Sequence, residues 1–356
     1  MNLLVLRYRF IGDTILTVPF LRNLRRTWPQ ARIDMVVAPY SSDVLIGTPY
    51  VDNFLVYDPP TIHSDSTGTH ATLRSRIRFL RDLRRRRYDK VYVLKRSFSS
   101  AAIALLSGAP ERIGFDTEGR GFLLTKRVPY RRDQHEVWNF LDILRADGVP
   151  VVDDHLEAWL SKEEISFAEG FLAGRGHTEG TRLVGIHPFT ANPARAWHED
   201  GFIAVANALQ ERHGVRILLF GGKRDLALAS YIGERVRPAP IPAVGSTDLR
   251  QSMALLSKCS LLLCNDSGIM HLGAALNVPL VALFGPQSPD VFGPWGKRCV
   301  VLSKRFSCSP CKQKFFTECE PSPRGRPMCM ENITVEEVLA AASGLLVASG
   351  NRGENG

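Results

Sequence analysis

The residues with the most chemical potential in this 356-residue sequence stand in short polar loops that follow apolar runs. Arg7-Tyr8-Arg9-Phe10-Ile11-Gly12-Asp13-Thr14 follows the run Leu3 to Leu6 and carries an acid near a helix start. A carboxylate so placed can take a proton from an attacking hydroxyl, although aspartate also suits a plain helix N-cap at the positive end of the dipole. The loop has one glycine and lacks the second and third of a G-x-G-x-x-G fingerprint, which disfavours a nicotinamide or flavin site. Further along, Cys264-Asn265-Asp266-Ser267-Gly268-Ile269-Met270-His271 puts Ser267 and Gly268 at a helix N-terminus, where backbone N–H groups attract an anion. His271 falls one turn on, on the face toward that anion. An ordinary cap with a partly buried histidine fits the same residues.

Two more loops offer phosphate and sugar chemistry. Pro188 to Trp197 contains the Thr190 hydroxyl and the Arg195 fork, both suited to phosphate oxygens. Gly221-Gly222-Lys223-Arg224-Asp225 ends in an acid able to accept hydrogen bonds from ribose hydroxyls. Each loop is a weak signal alone, but together they outline a nucleotide diphosphate site in the second half of the chain. Gly285 to Pro289 is either a simple turn or a cover over a ligand. Cys308, Cys311, Cys319 and Cys329 make a C-x2-C-x7-C-x9-C pattern, a candidate structural zinc or iron site whose first gap is typical of metal ligands. Reduced, unligated cysteines are the alternative.

The elements that must position these loops alternate in the manner of strand-helix-strand units around parallel sheets. In the first half, strands are expected at Asn2 to Leu6, Ile33 to Ala38, Phe54 to Tyr57 and Lys90 to Leu94. Helices are expected at Thr14 to Thr27, Leu73 to Arg87, Phe98 to Leu106 and Gln134 to Ala146. Pro19 should kink the first helix or mark its true first turn. The second half has strands at Leu183 to His187, Val215 to Phe220, Ser260 to Cys264 and Pro279 to Phe284. The glycine-rich Leu172 to Gly180 segment is the expected linker. The fold class is therefore α/β, with two Rossmann-like domains of parallel sheets flanked by helices. The expected bounds are 1–178 and 179–333, a closing helix over 334–349 and a disordered tail over 350–356.

Hydrophobic residues at 44% and charged residues at 23% describe a folded globular chain. The length suits two cores. The N-terminal apolar run is too short for a secretory signal and no stretch approaches a membrane span, so a cytoplasmic location is expected. Lys plus Arg outnumber Asp plus Glu by 45 to 36, a net charge of +9 that favours anionic partners. Much of the excess lies in Leu73 to Arg87, where Leu73, Ile77 and Leu80 recur at helical spacing. Arg84, Arg85, Arg86 and Arg87, with Arg9, are candidates for meeting an anionic acceptor or the inner face of the inner membrane, set against a merely solvated helix face. No signature of nucleic-acid binding accompanies the charge.

These pieces in this order resemble the ADP-heptose lipopolysaccharide heptosyltransferases, glycosyltransferase family 9. The resemblance runs from Asn2 to about Glu337. It is carried by Ile11-Gly12-Asp13 with Thr17-Val18-Pro19, by His187-Pro188 with Arg195 and Trp197, by Asn265 to His271, and by Leu283-Phe284-Gly285-Pro286. It implies a GT-B fold with an acceptor domain first and a donor domain second facing across a cleft, and a final helix returning to the first domain. It implies Asp13 as catalytic base, Thr190 and Arg195 as diphosphate ligands and Asp225 as the ribose acid. Asp266, Ser267, Gly268 and His271 would form the donor loop. The expected reaction is inverting transfer of heptose from ADP-heptose to the lipopolysaccharide core, with no cofactor required for catalysis and no carboxylate pair placed to hold a divalent metal. The sequence departs from the family at Arg9 and Phe10, where a small hydroxyl residue is frequent, and at Arg195, where lysine is. A same-fold transferase with another nucleotide sugar or surface-glycan acceptor, and a non-catalytic nucleotide- or sugar-binding module, are the competing readings.

Overall fold

A computed structural model of the chain describes residues 1–60, 68–311, 319, 322 and 324–350; of the expected tail, residues 351–356 lie outside them. The chain divides into two units, Met1–Trp159 and Leu160–Gly356.

The first unit runs β1 (Asn2–Leu6), α1 (Ile11–Ile15), α2 (Val18–Thr27), β2 (Arg32–Val37), β3 (Asn53–Val56), α3 (Leu73–Arg85), β4 (Lys90–Val93), α4 (Phe98–Leu106), β5 (Glu111–Phe115), β6 (Lys126–Val128) and α5 (Glu136–Ala146). Its six strands are all parallel, in the order β3-β2-β1-β4-β5-β6. Leu3 to Leu6 are all buried, as a central parallel strand covered on both faces requires. The single helix expected over Thr14 to Thr27 is two, because Pro19 lacks an N–H and is accommodated in the first turn of α2. Two strands escaped the sequence reading. β5 carries an arginine and a glycine, and β6 is three residues long with two of them exposed. Gly114 of β5 is needed where it stands, since a Cβ there would lie 2.8 Å from Val93 Cβ.

The second unit runs α6 (Lys162–Ala173), β7 (Leu183–His187), α7 (Glu199–His213), β8 (Arg216–Leu219), α8 (Leu226–Gly233), β9 (Ile241–Pro242), α9 (Leu249–Ser257), β10 (Leu261–Asn265), α10 (Gly268–Ala275), β11 (Leu280–Phe284), α11 (Pro289–Phe292), β12 (Cys299–Ser303), α12 (Met328–Glu331) and α13 (Val335–Gly350). Its six parallel strands lie in the order β12-β11-β10-β7-β8-β9. Counted from its own first strand, this is the order of the first unit, and both are the order of the Rossmann fold.

Two expected bounds change. The division falls at 159/160 rather than 178/179 because α6 belongs to the second unit. Ser161 and Glu164 close a capping box at its start, and the helix packs on α9 through the Arg250–Glu164 pair at 2.6 Å and Lys258–Glu169 at 2.6 Å. The glycine-rich segment is therefore the α6–β7 connection. The closing helix α13, expected to return to the first domain, is instead part of the second core. Its Val338, Leu339, Ala342 and Leu346 form a helical stripe buried with residues of β7, β10 and β11, and it packs against α7. Among the described residues no helix is long and apolar enough to cross a membrane.

Candidate functional site

In a sheet of this order the connections leave the two central neighbouring strands in opposite directions, and a crevice opens at their carboxyl ends. In the first unit those strands are β1 and β4. Asp13 lies just beyond β1, in the first turn of α1, and is no N-cap. That position belongs to Phe10, and no side chain caps the helix. Arg7 Nη2 instead holds Asp13 Oδ2 at 2.8 Å, with side chains 8% and 22% exposed, so the carboxylate is fixed yet still reachable. The loop between them is strained, with Arg9 at φ 113° and Phe10 at φ 58°, conformations that residues other than glycine rarely adopt and that concentrate at functional sites. Lys95, two residues past β4, donates to Tyr8 O at 3.3 Å and lies 4.8 Å from the centre of the Tyr8 ring. Burial, together with Arg7 and Arg9, pushes its ammonium down to about 8. Arg7 and Lys95 were not singled out in the sequence, although Lys95 stands at a strand's carboxyl end, where the same rule would have found it.

In the second unit the central pair is β7 and β10. Asn265, at the end of β10, accepts from Trp197 N at 3.1 Å and donates to Pro188 O at 2.8 Å, stitching the loop after β7 to its own strand. Arg195 Nη1 meets Asp266 Oδ2 at 3.2 Å. Ser267 is the N-cap residue of α10, and its Oγ lies 3.4 Å from His187 Nδ1. Gly268 opens the helix, and His271 follows one turn later, buried. Thr190, half-buried, accepts from Asn192 N at 3.3 Å. Asp225 accepts from Gly222 N at 2.8 Å, and its charge acts on His187. That loop passes so close to Phe189 that a Cβ on Gly221 would lie 2.6 Å from the ring. Thr190, Arg195, Asp225, Asp266, Ser267, Gly268 and His271 thus gather at the ends of β7, β8 and β10. His187, which the sequence offers only as part of the His187-Pro188 motif, stands among them. Burial drives its imidazole down to about 4 against the pull of Asp225, leaving a neutral ring beside the helix start.

Arg84, Arg85, Arg86 and Arg87 are elsewhere. The Asn2 side chain donates to Arg86 O and Arg87 O, which places these arginines at the amino end of β1, the opposite sheet edge from Asp13. Arg86 is also committed inward, at 2.9 Å from the fully buried Asp34. Arg9, by contrast, stands in the Asp13 loop. Of the four clustered cysteines, Cys329 has its thiol pushed up to about 11, first by burial and then by Cys311, Cys319 and Cys308. Cys311 N donates to Pro286 O at 3.0 Å, tying this segment to the loop after β11. Among the described residues no three of histidine, cysteine, aspartate and glutamate converge as a metal-ligand set.

Two Rossmann-like units, one with a tethered acid at its crevice and one with a helix start at its own, have the architecture of a GT-B glycosyltransferase. Comparison with known proteins gives the family. The model for glycosyltransferase family 9 (heptosyltransferase) matches residues 76–319, and the chain belongs to that family. Lipooligosaccharide heptosyltransferase 2 of Haemophilus ducreyi is 29% identical over 85% of this chain and 88% of its own length. A family 9 glycosyl transferase from Veillonella parvula superposes with a TM-score of 0.86 at 27% identity, covering 98% of this chain and 97% of that one. The ADP-heptose lps heptosyltransferase II of E. coli does so at 0.78 and 25%, over 98% and 100%.

The depressed His187 has a signed consequence. Unfolded, its imidazole takes a proton near pH 6.5; folded, it resists until about 4. The native state therefore loses stability as pH falls through that window and keeps the full contribution above it. A histidine titration by NMR should show one ring neutral down to about pH 4, and His187→Gln should flatten the stability profile between those limits. A His187 resonance titrating near 6.5 contradicts this.

Proposed function

We propose that the protein transfers heptose from ADP-heptose to the inner core of lipopolysaccharide, with inversion, at the cytoplasmic face of the inner membrane. The observation that carries the reading is the placement of Asp13, held by Arg7, at the crevice of one sheet, and of Arg195, Ser267 and the start of α10 at the crevice of the other. A sugar nucleotide brings its own leaving group, so the protein must deprotonate an acceptor hydroxyl and neutralise a departing diphosphate. Asp13 does the first as general base. The first-turn amides of α10, Ser267, Thr190 and Arg195 do the second by electrostatic stabilisation that grows as the bond to phosphate breaks. Asp225 receives the ribose, and Asp266 keeps the Arg195 fork aimed.

The reading extends to two peripheral features. The C-x2-C spacing and the approach of Cys308, Cys311 and Cys319 to Cys329 support a structural zinc or iron on these four residues, with no part in the reaction. The outward arginines of α3 and its end, with Leu73 and Ile77 exposed beside them, support contact with an anionic membrane surface.

Asp13→Asn keeps size and removes basicity. Turnover of ADP-heptose with heptose-deficient lipopolysaccharide, followed as a mass increment of one heptose, should fall by roughly 10²-fold or more, with ADP affinity by calorimetry nearly unchanged. Near-normal turnover sinks the assignment. Metal analysis of the purified chain should give close to one zinc or iron, lost in Cys308→Ser with Cys311→Ser; a metal-free preparation of full stability contradicts the site. Replacing Arg84, Arg85 and Arg87 by glutamine, and sparing Arg86 for its bond to Asp34, should weaken binding to phosphatidylglycerol vesicles at low salt and leave ADP binding intact. Unchanged vesicle binding returns the helix to a plain solvated face.

A further inference from the structure

Behind the Asp13–Arg7 pair lies a second carboxylate with no part in the scheme above. Glu136 opens α5 and is 1% exposed. Tyr130 Oη donates to Glu136 Oε2 at 2.8 Å, and the Arg96 guanidinium lies 4.1 Å from the centre of the Tyr130 ring. Phe140, one turn beyond Glu136 on the same face of α5, has the Arg7 guanidinium 5.4 Å from its ring centre. Arg7 therefore reaches from the end of β1 with Asp13 on one side and the start of α5 on the other. It is 7% exposed, and its Nε has no hydrogen-bond partner among the described residues. A buried guanidinium with one carboxylate in contact loses its counter-charge whenever that carboxylate takes a proton, and an uncompensated buried charge is costly.

We infer that Glu136 is a positioning residue that acts on Asp13 through Arg7, offsetting the guanidinium while Asp13 carries the acceptor's proton. The inference rests on Asp13 being the base. In the step concerned, the acceptor O–H bond breaks and its proton goes to Asp13. The freed electron pair on oxygen forms the bond to the anomeric carbon, and the bond from that carbon to the diphosphate oxygen breaks with its pair leaving on the nucleotide. Asp13 passes from anion to neutral acid, and Arg7 then has Glu136 alone to balance it.

The groups that face Glu136 are Arg7 from β1, Asp13 from α1, Arg96 from the connection after β4 and Tyr130 from the segment after β6. Burial is the largest influence and, with the charge of Asp13, leaves its carboxyl raised overall; Arg7, Arg96 and the Tyr130 hydrogen bond pull the other way and favour its charge. Removing the charge of Glu136 makes proton uptake by Asp13 harder, so the acidic limb of the kcat profile must move to lower pH and the plateau must fall.

The test is Glu136→Gln in the full chain, assayed with ADP-heptose and heptose-deficient lipopolysaccharide across pH. The expected result is a limb displaced to lower pH, kcat reduced about tenfold and KM for the nucleotide sugar within about twofold of the parent. Combined with Asp13→Asn it should cause no further loss, because the residue it acts through is gone. Tyr130→Phe keeps the ring, removes the hydrogen bond and should displace the limb in the same direction by less, which keeps the test open if Glu136→Gln fails to fold. An undisplaced limb in the folded variants, or an equal loss in the Asp13→Asn background, overturns the inference. Near-normal turnover of Asp13→Asn alone overturns the underlying assignment of the base instead.

Discussion

Both units depend on a property of parallel sheets: where the winding direction reverses between two central strands, no connection crosses their carboxyl ends. The backbone is then free to present loop residues and helix starts to a ligand without first satisfying a neighbour. β1 and β4 make such a reversal in the first unit, β7 and β10 in the second. Asp13 lies in the first turn of the helix that follows β1, and the start of α10 follows β10 after two residues. Everything else described here adjusts what those positions carry.

The adjustment in the first unit is electrostatic. A lone buried arginine at the end of a strand would be a liability; paired with Asp13 it becomes a clamp that fixes the direction of one carboxylate oxygen. In the second unit the adjustment is dielectric. His187 is kept neutral by burial, so it adds a dipole rather than a further full charge beside Asp225 and the Arg195–Asp266 pair.

The central strands were legible because burial on both faces forces an unbroken apolar run, as in Leu3 to Leu6. The outer strands were not: β9 is two residues long, and β5 and β6 carry arginine, lysine and glycine, so no periodicity separates them from loops. Most of the candidate-site residues of the second unit were legible as a group because they follow strands directly. Glu136 was not, since an acid in the first turn of a helix has an ordinary explanation in the dipole and nothing local reveals the arginine from β1 that meets its helix. The division between units falls before the glycine-rich segment because the Ser161 to Glu164 capping box, a plain helix-start signature, opens a helix that belongs to the second unit. The arginine run was legible as a helix but not as to sheet edge, because spacing says which residues share a face and nothing about which end of the strand they reach.

Asn265 joins two loops with one amide, and that has an entropic meaning. Its oxygen takes the N–H of Trp197 while its nitrogen meets the carbonyl of Pro188, so the segment carrying Thr190 and Arg195 is pinned at both ends from the neighbouring strand. A carboxylate could serve only the first bond and an aliphatic chain neither. The loop is thereby ordered when the unit folds, and a ligand that meets it need not immobilise it. Affinity that would otherwise go into arranging such a loop remains for discriminating what is bound.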